Sequence, residues 1–511
     1  MVWLRVALQL VAAAVLGWRL LRVAQREHYV PGSVLATLHR WFAVDRLRNN
    51  GVLAVSLLFA LRCSWGDAPW LGVASSAVVA AAPLGLRGMR GTPPLRWTGR
   101  VVRLALLTAA IGGVVVAIGW AFGIGIETAM ALAIFALPLW TELGLVAAKP
   151  IEARLLLGYV RPAEKKLRQL APDVVAITGS FGKTSVKEHV RDLVGRRKQV
   201  TASPASFNNQ AGLARTVNDH LTPGTEVLVC EMGTYGPGEI AEMCRWVQPR
   251  IAAICRIGPV HLERMKTLEN ILDAKAEILD GAEVAVLNVD DPLLAGLAAE
   301  RIALGQRVIR TSTSLADGGA DVIVRPDLEG WTVVVSGDVV AEGLAVPLGV
   351  HASNVAVALG CGVALGVDPA QMAAGIPSLL TPTHRLDPAT NDAGLVVLDD
   401  TFNSNPSGAR AALDVLSASG SGRRVVVTPG MVELGDLQAA ENELFARSVA
   451  EAGAELVVVG RVNRQALEAG YDSGRPPVLV KDRAEAVAWV RSELGPGDAV
   501  LYENDLPDHY P

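Results

Sequence analysis

The chain has 511 residues, room for about three domains. Its 47 Lys and Arg against 51 Asp and Glu leave a net charge of −4, so no basic surplus marks nucleic acid as a partner. Apolar residues make up 51% and the mean hydropathy is +0.33, high for a wholly soluble chain. The five cysteines (Cys63, Cys230, Cys244, Cys255, Cys361) contain no Cys-x-x-Cys pair, so neither a zinc ribbon nor a disulfide framework is indicated. Cys230 and Cys255 sit in apolar strand patterns and read as core residues in a reducing compartment.

The apolar excess lies at the front, in residues 1–149. Apolar stretches run over 3–24, 51–61, 69–86, 104–122 and 128–148. The second and third are split by Arg62 and the turn-like Gly66-Asp67-Ala68-Pro69. A spanning helix needs about 20 apolar residues, so the pattern predicts five crossings, or four if 51–61 is re-entrant. A cleaved signal peptide would account for the first stretch alone. Arg26, Arg40, Arg46 and Arg48 follow the first stretch, and Arg87, Arg90, Arg96, Arg100 and Arg103 follow the third. The positive-inside rule places both loops in the cytoplasm. With five crossings everything after Lys149 is then cytoplasmic, giving a multi-pass plasma-membrane protein with its soluble part inside. Glu142, near the end of the last stretch, is read as snorkelling. Residues 150–172, with Lys165, Lys166 and Arg168, read as a juxtamembrane linker helix.

From 173 onward strand and helix patterns alternate. Strands are expected at 174–178, 227–231, 251–257 and 284–289, with helices at 183–195, 239–246 and 269–280. This is the rhythm of a doubly wound α/β sheet. Residues 321–349 alternate around turns at Glu329-Gly330 and Ser336-Gly337, predicting antiparallel strands at its edge. A second α/β block follows, with strands at 395–399, 424–428, 455–459 and 499–502 and helices at 406–418, 439–452 and 482–493. The fold class is thus a helical membrane region, a P-loop-type doubly wound domain over 173–383 and a smaller Rossmann-like α/β domain over 384–511.

The most informative stretch is Thr178-Gly179-Ser180-Phe181-Gly182-Lys183-Thr184-Ser185. An apolar strand enters a glycine loop that opens a helix, so backbone N–H groups and the helix dipole converge on an anion. Lys183 would reach the β/γ-phosphates of a nucleotide, and the Thr184 hydroxyl would bind Mg²⁺. The ordinary P-loop has glycine five residues before its Gly-Lys, where this chain has Ile177. Further polar residues end the following strands, where open α/β sheets place their sites. They are Glu231, His261 and the Asn288-Val289-Asp290-Asp291 run, with Lys275 on the helix between.

In this order and spacing, over roughly residues 173–500, the motifs resemble the Mur ligase family, most closely its MurF type, which adds D-alanyl-D-alanine. The resemblance implies an ATP-dependent, ADP-forming carboxylate–amine ligase. It implies that Thr178, Gly179, Ser180, Gly182, Lys183, Thr184 and Ser185 cradle ATP, with Asn288, Asp290 and Asn354 nearby. It also implies that Thr184 and Glu231 hold one Mg²⁺ and His261 helps hold a second. Lys275 matches a carbamylated lysine whose added carboxylate would serve that second ion. Carbamylation needs a neutral amine, which burial favours. Asn208 and Asn209 match a substrate-binding loop. Arg385 matches an arginine that reaches the ATP phosphates, and Asp399-Asp400-Thr401-Phe402-Asn403-Ser404-Asn405-Pro406 matches the signature of the third domain. There Asp400 belongs with the nucleotide and Asn403 and Asn405 with substrate. The implied catalytic set is Lys183, His261, Lys275 and Arg385.

The chain also departs from the family. The domain that grips the UDP end of the substrate has no counterpart; the apolar region stands in its place. The end of the chain, Leu501-Tyr502-Glu503-Asn504-Asp505 onward, replaces a strand followed by Lys-Gly-Ser. The expected acceptor is a peptidoglycan-precursor carboxylate, with a membrane-bound lipid carrier as the natural alternative to the soluble UDP-linked form, and the amine is an amino acid or dipeptide. Two alternatives stay open on sequence: an amino-acid polymer synthetase of the cyanophycin or polyglutamate type, and a catalytically degenerate membrane scaffold for cell-wall enzymes.

Overall fold

The computed structural model describes the chain apart from residues 45, 65–67, 87–92, 206, 261, 315–318, 348, 381–386, 391–393, 402–403, 507–508 and 511, and for 387–390 it describes the backbone. Two units result. A helical unit comprises 1–155 with two later stretches, 460–464 and 505–511; an α/β unit comprises 156–459 and 465–504.

The helical unit contains α1 (Val2–Arg26), α2 (Ser33–Val44), α3 (Arg46–Cys63), α4 (Trp70–Ala81), α5 (Gly99–Ala121), α6 (Ile126–Phe135) and the start of α7 (Leu137–Leu170). Among the described residues, α1 and α5 are long and apolar enough to cross a membrane, and α6 with α7, bent by 66°, makes a third candidate. That is fewer than the four or five crossings expected. The shortfall has two causes. The 12 residues of α4 reach only about 18 Å against a hydrocarbon core of about 30 Å. In α3, Arg46, Arg48, Asn49, Asn50 and Arg62 dilute the apolar run. The bend between α6 and α7 falls at Leu137-Pro138, where proline suits only a first helical turn.

Polar residues of this unit are spent on helix ends. Arg19, 6% exposed, donates to the carbonyls of Ala80, Ala82, Pro83 and Leu86 at 2.7, 2.8, 2.7 and 3.0 Å. It thereby caps the C-terminal end of α4, which otherwise leaves its last carbonyls unpaired. Glu142 does not snorkel. It is buried and accepts from the backbone N–H groups of Gly32 and Leu35, capping α2. The tail is tied in the same way. The His509 ring lies 2.9 Å from the Glu27 carboxylate, the Trp41 indole donates to the His509 carbonyl at 2.8 Å, and Arg40 stacks over Tyr510.

The α/β unit holds two sheets. The first has nine strands: β1 (Asp173–Thr178), β2 (Val200–Ala202), β3 (Val227–Glu231), β4 (Ile251–Ile254), β5 (Val284–Asn288), β6 (Arg307–Ser312), β7 (Val322–Asp327), β8 (Gly330–Val335) and β9 (Asp338–Leu344). Their order is β2-β3-β1-β4-β5-β6-β7-β8-β9, parallel as far as β7 and antiparallel beyond. Strand side chains alternate between faces, and both faces of this sheet are covered. Val174, Ala176, Leu228 and Cys230 pack into one core, and Val175, Ile177, Val227 and Val229 into the other. The β8–β9 hairpin turns at Ser336 and Gly337, with φ of 52° and 88°; a two-residue hairpin of this kind needs positive φ at both. The end of α7, residues 156–170, buries Val160, Ala163 and Leu167 in the first core, and Lys166 donates to the Asn218 carbonyl at 2.8 Å. The expected linker helix is thus continuous with the last apolar helix and packs on the first sheet.

The second sheet contains β10 (Asp387–Thr390), β11 (Val396–Asp400), β12 (Arg424–Thr428), β13 (Glu455–Val459), β14 (Val478–Val480) and β15 (Ala499–Glu503), in the order β10-β11-β15-β12-β13-β14. Only β10 runs antiparallel.

Candidate active site

The site is built where β1, β3 and β4 end. Apolar Val174–Ile177 form β1, and the chain then turns through Gly179 at φ 153° and Gly182 at φ 81° into α8 (Lys183–Val194). Both glycines are needed. A Cβ on Gly179 would sit 3.0 Å from the Phe181 carbonyl, and one on Gly182 would sit 2.4 Å from Asn354 Oδ1. Asn354, in the first turn of helix Ala352–Ala364, therefore borders the loop. Ser180 is fixed to the β4 end, donating to the Gly258 carbonyl at 3.1 Å and accepting its N–H at 3.0 Å. The Thr178 hydroxyl is buried with no hydrogen-bond partner among the described residues, and Ser185 is buried in the first turn of α8.

Lys183 folds back over the loop and donates to the Gly179 carbonyl at 2.7 Å. Lys275, on helix Leu268–Ala276, reaches the same carbonyl at 3.1 Å and is 3% exposed. Burial, with the nearby Lys183 cation, holds the Lys275 ammonium well below the usual lysine range. A neutral amine is the form that meets CO₂, so the environment fits a carbamate at this position.

Thr184 and Glu231 come together one step along. The Thr184 hydroxyl donates to Glu231 Oε2 at 3.0 Å, and the Asn208 amide donates to Oε1 at 3.1 Å. Glu231 is 1% exposed, at the end of β3. A buried carboxylate beside a hydroxyl offers hard oxygen ligands of the kind Mg²⁺ takes. Sequence reading missed Lys187, which is fully buried on α8. Its Nζ lies 3.6 Å from Glu231 and 3.2 Å from Glu188 and donates to the Ala205 carbonyl at 2.5 Å. Its position one helical turn after Lys183 is the signal that could have found it.

The remaining residues divide. Asn288 donates to the Cys255 carbonyl at 3.2 Å and so stands at the β4–β5 edge of the site. Asp290 is turned to the β6 end, where its carboxylate accepts from Ser312 and from the backbone and hydroxyl of Thr313. Asn209 and Asn405 act as helix caps, accepting from Gly212 and Gly408 at 2.9 Å each. Asp400 ends β11 in the second sheet, in register with Glu503. His261, Arg385 and Asn403 lie outside the described residues.

Two family models match the chain: Mur ligase middle domain over 177–362, and Mur ligase, glutamate ligase domain over 384–502. A UDP-N-acetylmuramoyl-tripeptide–D-alanyl-D-alanine ligase of Mycobacterium leprae is 31% identical over 370 residues, 64% of this chain and 70% of that protein. The chain belongs to the Mur ligase family. It is accordingly an ATP-dependent, ADP-forming amide ligase of MurF-like kind. A Mur ligase of the same name from Bacillus subtilis is 30% identical over 282 residues, 54% of this chain and 60% of that one. Among solved structures, MurF from Thermotoga maritima in complex with ADP superposes with a TM-score of 0.57 at 24% identity, over 68% of this chain and 80% of that one. MurF from Acinetobacter baumannii gives 0.57 at 24%, over 68% and 77%. These two show a shared fold.

Proposed function

We propose that this Mur ligase joins D-alanyl-D-alanine, or a similar amine, to the peptide carboxylate of a peptidoglycan precursor. We propose further that it works at the cytoplasmic face of the plasma membrane on a lipid-linked acceptor. The first part is carried by the convergence of Lys183, Lys275, Thr184, Glu231 and Asn208 on one loop, in a chain similar to ligases named for that reaction. The second is supported by α1 and α5, helices of 25 and 23 residues that each contain an apolar stretch of 18, and by the arginine-rich segments that follow the first and third apolar stretches.

In this scheme the substrate carboxylate attacks the γ-phosphorus of ATP, ADP leaves, and an acyl phosphate forms. The amine then attacks the acyl carbon, phosphate leaves, and the ammonium proton passes to solvent or a nearby base. The loop N–H groups and Lys183 neutralise charge on the transferring phosphoryl group, and Lys183 must leave the Gly179 carbonyl to do so. Bound Mg²⁺ would screen the phosphate oxygens and act as a Lewis acid, held by Thr184 and Glu231. Asn208 keeps the Glu231 carboxylate oriented. Lys275, once carbamylated, would present two oxygens where the unmodified side chain has none, with His261 as the second member of that set. Arg385 adds positive charge from the C-terminal domain.

The test is phosphate release from ATP by the detergent-purified protein with D-alanyl-D-alanine and either the UDP-linked or the lipid-linked muramoyl tripeptide. Turnover with only the lipid-linked acceptor is expected. Turnover with the soluble acceptor alone refutes the lipid-linked part, and silence with both refutes the whole reading.

A further inference from the structure

Lys187 sits one helical turn beyond Lys183 on α8 and is fully buried. Its ammonium donates to the Ala205 carbonyl at 2.5 Å and lies 3.2 Å from Glu188 and 3.6 Å from Glu231 Oε2. Glu188 is shared, because it also pairs with the exposed Arg191. Glu231 is not shared: it is 1% exposed, and among the described residues Lys187 is the one cation within ion-pair distance of it. The rest of the carboxylate is equally engaged. Oε2 accepts the Thr184 hydroxyl, Oε1 accepts the Asn208 amide, and the Glu231 N–H is held by Ser203 Oγ at 3.1 Å. Each oxygen of the candidate Mg²⁺ carboxylate thus holds a protein donor, and Thr184 spends its proton on the oxygen that Lys187 faces.

We propose that Lys187 is a positioning residue that makes metal binding conditional on nucleotide. The proposal rests on the reading of Thr184 and Glu231 as the Mg²⁺ pair under Proposed function. A divalent ion on Glu231 would share that carboxylate with the Lys187 ammonium, and in a buried site little water screens the two like charges. Lys187 cannot withdraw to relieve the repulsion, since its stem is fully buried and the Ala205 carbonyl holds its ammonium. Lys183 differs in this respect: it is half-buried and can swing toward a phosphate. Triphosphate oxygens at the nucleotide loop would bring the negative charge that offsets Lys187 and lets the ion enter. The metal therefore arrives with ATP and not before it, and until then Glu231 stays paired with protein donors.

The experiment compares Lys187→Met with the parent in the full-length protein; Met keeps an unbranched apolar stem and removes the charge. Mn²⁺, which takes the same oxygen ligands as Mg²⁺, is titrated without nucleotide and followed by the loss of its free-ion EPR signal. Melting temperatures are read with Mg²⁺ alone, with a non-hydrolysable ATP analogue alone, and with both. Lys187→Met is expected to bind Mn²⁺ about tenfold more tightly than the parent, and to lose that gain in Lys187→Met/Glu231→Gln. Mg²⁺ alone should raise the melting temperature of Lys187→Met and leave the parent's unchanged. A merely structural lysine predicts a lower melting temperature for Lys187→Met with parent-like Mn²⁺ affinity, and that result overturns the proposal. If Lys187→Met does not fold, the parent decides: saturable Mn²⁺ binding without nucleotide that disappears in Glu231→Gln overturns it. If Mg²⁺ with the analogue stabilises the parent no more than the analogue alone, the metal-pair reading itself fails and takes the proposal with it.

Discussion

Replacing Glu231 by Gln keeps the size of the side chain and removes one buried negative charge. In the ligand-free protein that charge faces Lys187, fully buried, at 3.6 Å. At an effective dielectric near 20 the pair is worth roughly 4–5 kcal/mol of Coulomb energy. Two effects reduce the loss. Lys187 keeps Glu188 at 3.2 Å and the Ala205 carbonyl, and the amide no longer bears the desolvation cost of a carboxylate. A net destabilisation of about 2 kcal/mol follows, which lowers the transition of a domain of this size by roughly 4–8 °C. The same change removes the anionic oxygen that would hold Mg²⁺, so the upward shift of melting temperature produced by Mg²⁺ with a non-hydrolysable ATP analogue should also shrink. Differential scanning calorimetry with and without Mg²⁺–nucleotide reads both quantities. An unchanged melting temperature together with a parent-like nucleotide shift would refute the placement of Glu231 as counter-charge to Lys187 and as metal ligand.

Three further expectations concern the same domain. Gly182→Ala forces a Cβ into a left-handed conformation, at about 1–2 kcal/mol, and against Asn354 Oδ1; calorimetric titration should show weakened ATP binding, and parent-like affinity would contradict the loop geometry. Lys275→Arg keeps a permanent charge that cannot carry a carbamate, so ligase activity should vanish. The parent should lose activity reversibly in CO₂-depleted buffer and show a carbamate signal by ¹³C NMR. His189 is buried and neutral, its imidazole pushed down to about 4 by burial. The unfolded chain takes up a proton below about 6.5 that the folded one refuses. Stability is therefore full above that pH and falls as pH drops toward 4. Urea titrations of His189→Gln should show a shallower acid loss, and an identical slope would remove His189 as its source.

Much of this was legible along the chain. The loop from Thr178 to Ser185 announces itself because positive-φ glycines and a Lys-Thr pair have few other uses at a strand–helix junction. Helices at 239–246 and 406–418 and strands at 227–231, 424–428 and 455–459 fall within a residue or two of their places, since apolar runs between turn signals leave little freedom. β6 was not legible. Arg307-Val308-Ile309-Arg310 interleaves charge with apolar residues, and its strand identity comes from pairing with β5 and β7. The resemblance places Asp290 near the nucleotide, and no local pattern announces that Ser312 and Thr313, at the end of β6, donate to its carboxylate. Lys187 was missed for a related reason. A lysine on a helix looks solvated until the fold buries it, and no local pattern encodes that burial. The membrane count erred in the opposite direction, because hydropathy counts residues and does not see where a helix stops.

The tail also matters for anyone preparing the enzyme alone. Residues 505–511 belong to the helical unit, although the residues just before them finish the second sheet. Removing the N-terminal helices therefore leaves a C-terminal ribbon stripped of Glu27, Trp41 and Arg40, with His509 and Tyr510 laid bare. Clean excision takes two cuts, one near Leu156 and one after Asn504. A protease site meant to free the enzyme belongs on the Asn504 side of the tail.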